Sequence, residues 1–371
     1  MSEAVLVTGG AGFIGRHVTA ELLERGYAVR IIDSLIPQVH GPDPELDPMI
    51  RGAEFLRGDI RDGEAVARAV DGVGSVIHLA AEVGVGQSMY EVTRYTGVND
   101  LGTATLFEKL IGQPVRRVVT ASSMSIYGEG LYRTAGGERV EDAVREAMRE
   151  GEKEWNPLDA EGRPLEPLPT PETKRPALQS VYALNKYVQE RLTHILSGSY
   201  GMESVCLRLF NVFGPGQALS NPYTGVLAIF ASRYLNEQPP LIFEDGEQRR
   251  DFVHVRDVAR AFADALEKPG ISGETFNIGS GRDRSIYEIA IKLGRAMDRD
   301  TIEPEIVGKT RTGDIRHCFA DTSRAREGLD FEAKEDFDAG LAEIADWVRE
   351  QEAEDGVERA RDELERRGLV A

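Results

Sequence analysis

Short apolar runs rich in β-branched residues alternate with amphipathic stretches through the first third of the chain. Residues 4–8 read as a strand, 12–24 as a helix, 28–32 as a second strand, and the runs at 75–78 and 117–121 as further strands. Strands that alternate with helices predict an α/β architecture built on a doubly wound parallel sheet, because each parallel connection has to cross back over the sheet. From 180 to 196 the apolar positions return at helical spacing, 203–208 reads as a strand, and 211–224 is rich in turn formers. Helical patterns at 226–235, 258–267 and 285–296 then come in shorter units and predict a smaller C-terminal α/β lobe closing over the strand ends. The expected division is a doubly wound domain over 1–210, a lobe over 211–349 interleaved with it, and a charged helical tail over 350–371 that reads as solvated. Residues 131–176 interrupt the alternation with charges and prolines. They read as an insertion at a pocket edge, either a lid or a solvated loop.

Composition narrows the class. The chain has 371 residues, 41% of them hydrophobic and 29% charged, enough for a sizeable core. Its apolar runs are too short to span a bilayer, and its first residues lead straight into a strand without the pattern of a signal peptide, so the cytoplasm is the expected address. Cys206 and Cys318 stand far apart, with no cysteine or histidine at ligand spacing, and support neither a disulfide framework nor a metal site. A net charge of -19 repels a phosphate backbone. Nucleic acid is therefore not an expected partner, and a small phosphorylated ligand needs a local basic pocket.

Candidate chemistry begins directly after the first strand. Gly9, Gly12 and Gly15 form a G-x-x-G-x-x-G turn that includes Phe13 and Ile14 and opens a helix. Without side chains at those positions the backbone turns sharply, a pyrophosphate can approach the helix N-terminus, and the helix can pack closely on the sheet. Asp33 closes the second strand, where a carboxylate accepts both hydroxyls of an adenosine ribose and repels a 2′-phosphate. This combination is the sign of a Rossmann-type dinucleotide site and favours NAD over NADP. Two later strand ends extend it: Asp59 and Ile60, with Asp59 placed to bond the adenine amine, and Leu79, Ala80 and Ala81, whose backbone can line the cofactor.

Tyr182 and Lys186 stand four apart, so a helix puts phenol and ammonium on one face. The ammonium, together with an oxidised nicotinamide, is expected to lower the phenol's pKa and make Tyr182 a general base. A hydroxyl from the end of the strand at 117–121 completes the set. Spacing alone leaves Ser122 and Ser123 as equal candidates.

These residues, with Asn99, Gly102-Thr103, Ser123 to Gly128 and the run 207–216, resemble the extended short-chain dehydrogenase/reductases, specifically their NAD-dependent nucleoside-diphosphate-sugar epimerase and dehydratase group. The resemblance spans nearly the whole chain. It implies that Ser123, Tyr182 and Lys186 are catalytic, that Lys186 also holds the nicotinamide ribose, and that Asn99 belongs to the cofactor site. On the substrate side it implies Asn211 and Arg250 at a sugar diphosphate, and Arg311 with Asp314 at the nucleoside. The 4,6-dehydratases of the group carry an Asp-Glu pair directly after the catalytic hydroxyl, and its decarboxylases a glutamate at the place of Ser125. This chain has Met124 and Ser125 there, which leaves 4-epimerisation as the expected activity. The runs 84–90 and 217–228 resemble 4-epimerases of deoxythymidine-diphosphate 6-deoxysugars. A UDP-glucose or galactose epimerase, a reductase and a silent dinucleotide sensor are the competing readings. The group also implies a homodimer, paired through the helices near 102–111 and 182–196.

Overall fold

The computed structural model describes residues 4–145, 154–219, 221, 223–310, 313–351 and 357–370. Seven strands form one sheet: β1 (Ala4–Thr8), β2 (Val29–Asp33), β3 (Glu54–Arg57), β4 (Val73–His78), β5 (Arg117–Ser123), β6 (Glu203–Leu209) and β7 (Glu274–Ile278). Their order is β7-β6-β5-β4-β1-β2-β3, every pair parallel. The order reverses between β4 and β2, on either side of β1, and such a reversal opens a crevice at the carboxyl ends of the strands. β4 and β5 are buried along their full length, as expected of central strands with helices on both faces.

Alternation along β1 sends Val5 and Val7 to one core and Leu6 to the other. The first core is covered by α1 (Phe13–Glu24) and α4 (Val255–Glu267), the second by α2 (Gly102–Leu110) and neighbouring segments. At the amino end of β5, Arg117 is only 1% exposed. Its guanidinium donates to the carbonyls of Ala265, Leu266 and Lys268 at 2.7–3.0 Å and to Glu203 at 2.8 Å. It thereby caps the C-terminus of α4, where helix carbonyls have no internal partner.

The smaller lobe packs around Phe213, Leu227, Phe230, Ile242, Phe252, Ile289 and Leu341. Its strands Asn211–Phe213 and Arg249–His254 run parallel, and Asp283–Ser285 joins the latter antiparallel. The first of these lies inside the stretch that the sequence marks as turn-rich. The insertion carries three short antiparallel strands, Leu131–Arg133, Arg139–Val140 and Glu166–Leu168. Buried contacts fasten it to the smaller lobe: Arg145 pairs with Glu244, and Arg316, itself bonded to Glu244 and Asp245, donates to Asn156 at 3.0 Å.

The tail departs from its solvated reading. Val357–Arg366 is a helix, but Ala360 and Leu364 are buried against the body, and Glu365 pairs with Lys309 at 2.8 Å. Its apolar positions are too few to signal burial in a sequence dominated by charge; they become a packing face only because another surface meets them.

One buried pair ties the catalytic helix to the sheet. Glu190, on α3 (Val181–Ser199), accepts from Arg208 of β6 at 2.7 and 3.0 Å and from Ser122 of β5 at 2.7 Å. Replacing Glu190 with leucine leaves Arg208 buried and unpaired, which costs about 3–5 kcal/mol. Urea unfolding is expected to show that loss, and a near-native midpoint would contradict the anchoring role.

Candidate active site

The crevice is one cavity of about 1010 Å³ that runs from Gly9 and Asp33, past Ser123, Tyr182 and Lys186, to Asn211, Arg250 and Asp314. At its cofactor end Gly9 adopts φ +70°, and a Cβ there would lie 2.9 Å from the Ala80 nitrogen. A Cβ on Gly15 would lie 2.1 Å from the Gly9 oxygen. Glycine is required at both places, since the turn, the β4 exit and α1 converge there. Gly12 begins α1 without a side-chain cap, and the helix has no acidic residue in its first turn, so its N–H groups face the cavity ready for an anion.

Asp33 is held at the end of β2 by N–H donations from Ala11 at 3.1 Å and Leu35 at 2.9 Å. Phe13, Ile14, Ile60, Leu79, Ala80 and Ala81 all line the same end. Asp59 lines it too, with its carboxylate gripped by Arg61 at 2.6–2.9 Å and held below the usual carboxylate range by that contact. Asn99 does not reach the cavity wall. It is fully buried, accepts from the Glu82 N–H at 2.7 Å and donates to the Glu82 carbonyl at 3.1 Å, so it positions the loop after β4 and makes no contact of its own there.

The structure separates the two serines. β5 continues to Ser123, beyond the 117–121 read from the sequence; Ser122 donates to Glu190, while the Ser123 hydroxyl donates to the Ser125 hydroxyl at 3.1 Å and lines the cavity with the Tyr182 phenol. Ser123 also accepts from the Ser125 N–H at 3.1 Å and starts the short turn Met124–Tyr127. Ser180 caps α3 by accepting from Ala183, which fixes Tyr182 and Lys186 one turn apart on the face toward the cavity.

The electrostatics differ from the sequence expectation. Burial pushes the Tyr182 phenol up, and only the nearby Ser123 hydroxyl opposes it. Burial lowers the Lys186 ammonium to about 8. Lys186 donates to Gln189 Oε1 at 2.7 Å, so the protein alone does not activate the phenol. The Gln189 amide in turn donates to Thr103 at 2.9 Å; His78 bonds Thr103 through Nε2 at 2.9 Å and Thr8 through Nδ1 at 2.7 Å. Burial lowers His78 to about 3, so the ring is neutral. Sequence reading missed this buried chain. The spacing of Gln189, three residues after Lys186 on a helix, was its only local sign.

On the substrate side the Asn211 Oδ1 is buried without a hydrogen-bond partner, as is Gln248 Oε1, a second lining residue that sequence reading missed. Arg250 donates through Nη1 to the carbonyls of Arg249 and Arg316 at 2.9 and 2.8 Å and through Nη2 to that of Ile315. Nε and one Nη2 hydrogen are left for a ligand. The backbone carbonyl of Asp314 accepts from Arg145 at 2.6 Å. Arg311 lies outside the described residues. No described residue of the insertion lines the cavity, whereas Val357, Ala360, Arg361 and Leu364 of the tail do.

A glycine cradle that a Cβ would fill, an uncapped helix start and a carboxylate at the second strand fit a dinucleotide, and a Tyr-Lys pair beside them places proton-transfer groups at its reactive end. This defines a dinucleotide-dependent enzyme of the short-chain dehydrogenase/reductase type. The chain belongs to the NAD dependent epimerase/dehydratase family, whose profile matches residues 5–149 and 159–279. A dTDP-L-rhamnose 4-epimerase of Burkholderia thailandensis is 34% identical over 94% of this chain and 96% of its own length. A UDP-glucose 4-epimerase of Thermotoga maritima, solved with UDP-glucose, superposes with a TM-score of 0.76 at 32% identity, covering 93% of this chain and 98% of that one. The Thermus thermophilus UDP-glucose 4-epimerase, solved with NAD, gives 0.73 at 30% identity, covering 94% and 100%.

Lys186 generates a prediction about pH. The unfolded chain keeps this proton up to the ordinary 10.5, whereas the folded chain releases it near about 8. The unfolded state therefore binds more protons in that window, and the stability contributed by this group rises with pH across it. Lys186→Met removes the rise, which urea midpoints of both proteins on either side of the window will report.

Proposed function

We infer that this protein is an NAD-dependent 4-epimerase of a nucleoside-diphosphate sugar. The observation that carries the reading is the unbroken cavity, which joins a dinucleotide cradle to an Asn211, Arg250 and Asp314 end past Ser123, Tyr182 and Lys186. Met124 and Ser125 supply no carboxylate beside Ser123, so the added acid and base that loss of water requires have no place there.

NAD, when bound, supplies a reversible hydride acceptor and the positive ring charge that favours phenolate. Ser123 bonds the sugar 4-hydroxyl and directs it toward Tyr182. Tyr182 removes that proton as carbon 4 is oxidised. Asn211, Arg250 and Asp314 keep hold of the nucleotide while the 4-keto sugar turns and presents its opposite face. Tyr182 then returns the proton as hydride comes back to carbon 4, and no net oxidation remains. Arg311 is the further nucleoside contact in this reading.

A deoxythymidine-diphosphate 6-deoxysugar is the substrate this reading favours. Its support is the similarity to the rhamnose enzyme and the apolar lining of Val85, Met124, Phe210 and Phe230, which suits a methyl group better than a hydroxymethyl. A UDP-hexose is the second reading, supported by the Thermotoga enzyme. Incubating the protein with both kinds of sugar nucleotide, and following sugar configuration by NMR together with nicotinamide absorbance, separates them. A 4-epimer that accumulates without net NADH fits the inference, and a stable 4-keto product or steady NADH change overturns it. Tyr182→Phe should lower turnover about 10²–10⁴-fold with nucleotide binding retained.

A homodimer belongs to the same proposal. Val92, Leu101, Leu184 and Ile195 are 46–57% exposed, and Val92 and Leu101 border a shallow groove with Ala104 and Leu192 of α2 and α3. Pairing of two copies there would cover them. Light scattering at micromolar concentration should give twice the chain mass, and a Leu101→Glu, Ile195→Glu variant should give the monomer. A wild-type monomer would remove this part of the reading. The cytoplasm is the compartment we propose, supported by two buried cysteines that form no disulfide. No described helix is long and apolar enough to cross a membrane.

A further inference from the structure

One wall of the cavity comes from the tail. On α5 (Val357–Arg366) residues 357, 360, 361 and 364 share one helical face, and all four line the cavity, as does Leu369 just beyond. The helix is anchored at four places. Leu364 lies against the loop after β4, where a Cβ on Gly86 would be 3.4 Å from it. The Arg367 guanidinium stands 4.2 Å from the centre of the Tyr90 ring. Glu365 pairs with Lys309 at 2.8 Å, and Glu358 approaches Arg233 at 3.5 Å. Lys309 immediately precedes the segment that leads to Asp314, and Arg233 belongs to the helix Val226–Leu235 of the smaller lobe. The helix therefore faces the substrate half of the cavity.

Arg361 is the one polar residue on that face. Its Nε is buried without a hydrogen-bond partner. The carboxylates nearest its guanidinium, Asp362 and Glu365, are 3.9 and 4.0 Å away, too far for hydrogen bonds. The other described arginines and lysines on the cavity wall are closely bonded: Arg61 to Asp59, Arg94 to Glu82 and Glu91, Lys186 to Gln189, and Arg250 to backbone carbonyls. Arg361 can bond a ligand without first breaking such contacts.

We propose that Arg361 is a substrate-binding residue, and that α5 carries its guanidinium to the diphosphate of the sugar nucleotide. The assignment rests on the reading of this cavity as a nucleoside-diphosphate-sugar site. A diphosphate entering a protein of net charge -19 needs local cations, and a guanidinium meets phosphate oxygens with two parallel donors. Arg366, on the same helix, has a 71% exposed side chain paired with Glu363. It serves as the control for a general loss of positive charge.

Calorimetric titration with UDP, dTDP, uridine, thymidine and NAD tests the assignment in the wild type, Arg361→Ala, Arg361→Lys and Arg366→Ala. Arg361→Ala should weaken the preferred nucleoside diphosphate about tenfold or more, while its affinity for the matching nucleoside and for NAD stays in place. Arg361→Lys should recover part of the loss, and Arg366→Ala should show none. Equal diphosphate affinity in Arg361→Ala and wild type overturns the assignment, as does a loss that falls on NAD instead. Melting temperatures accompany each titration. If Arg361→Ala loosens the helix, Arg361→Gln, which keeps a polar arm without the charge, takes its place with the same expected loss. A wild type that binds neither nucleoside diphosphate overturns the reading of the cavity itself, and the assignment with it.

Discussion

The structure depends on a close approach of backbone to backbone at the carboxyl end of β1. The Gly9 Cα faces the Ala80 peptide, and Gly15 faces the Gly9 carbonyl, both at separations that admit no Cβ. Because the sheet order reverses at β1, this contact sits where the strand ends diverge and a crevice opens. The uncapped start of α1, the carboxylate of Asp33 and the small residues after β4 are gathered by the same turn. Everything that holds a dinucleotide follows from two missing methyl groups.

A buried polar chain extends that constraint to the catalytic helix. Thr8, at the end of β1, accepts from the Leu79 and Ala80 N–H groups and bonds His78. His78 continues to Thr103, Thr103 to Gln189, and Gln189 to Lys186. Buried polar groups left unpaired are costly, so each member fixes the orientation of the next. The Lys186 ammonium is consequently directed by the same network that shapes the glycine turn. One turn beyond Lys186 on α3, Glu190 does similar work through Arg208 and Ser122, and Ser123 is left on the cavity wall with Tyr182.

Charge is distributed so that an acidic protein can receive an anion. The insertion is secured by Arg145 and Arg316 among Glu129, Glu244 and Asp245, and those arginines are neutralised by close partners. Arg250 retains part of its donor capacity at the cavity, and the tail adds Arg361 to the same wall. The two segments thus exchange the places that their composition suggests: the described residues of the insertion stay off the cavity wall, and the charged tail borders it.

The sequence by itself determined what is local. A glycine spacing after a strand, an acid at the end of the next strand, and a tyrosine and lysine one helical turn apart are short-range patterns, and each implies its geometry through backbone sterics or helical periodicity. The parallel alternation and the two-lobed plan were legible for the same reason, even where strand ends moved by a residue or two. Spacing left Ser122 and Ser123 equal and the resemblance chose Ser123; the tertiary structure supplied the physical difference, which lies in the neighbour each meets. It alone showed Asn211 and Gln248 as buried acceptors without partners, Gln189 as the partner of Lys186, and the tail as a cavity wall. Apart from the Gln189–Lys186 bond within α3, these depend on contacts between residues tens to hundreds of positions apart, and a highly charged segment with few apolar residues carries no local signal of the surface that will cover it.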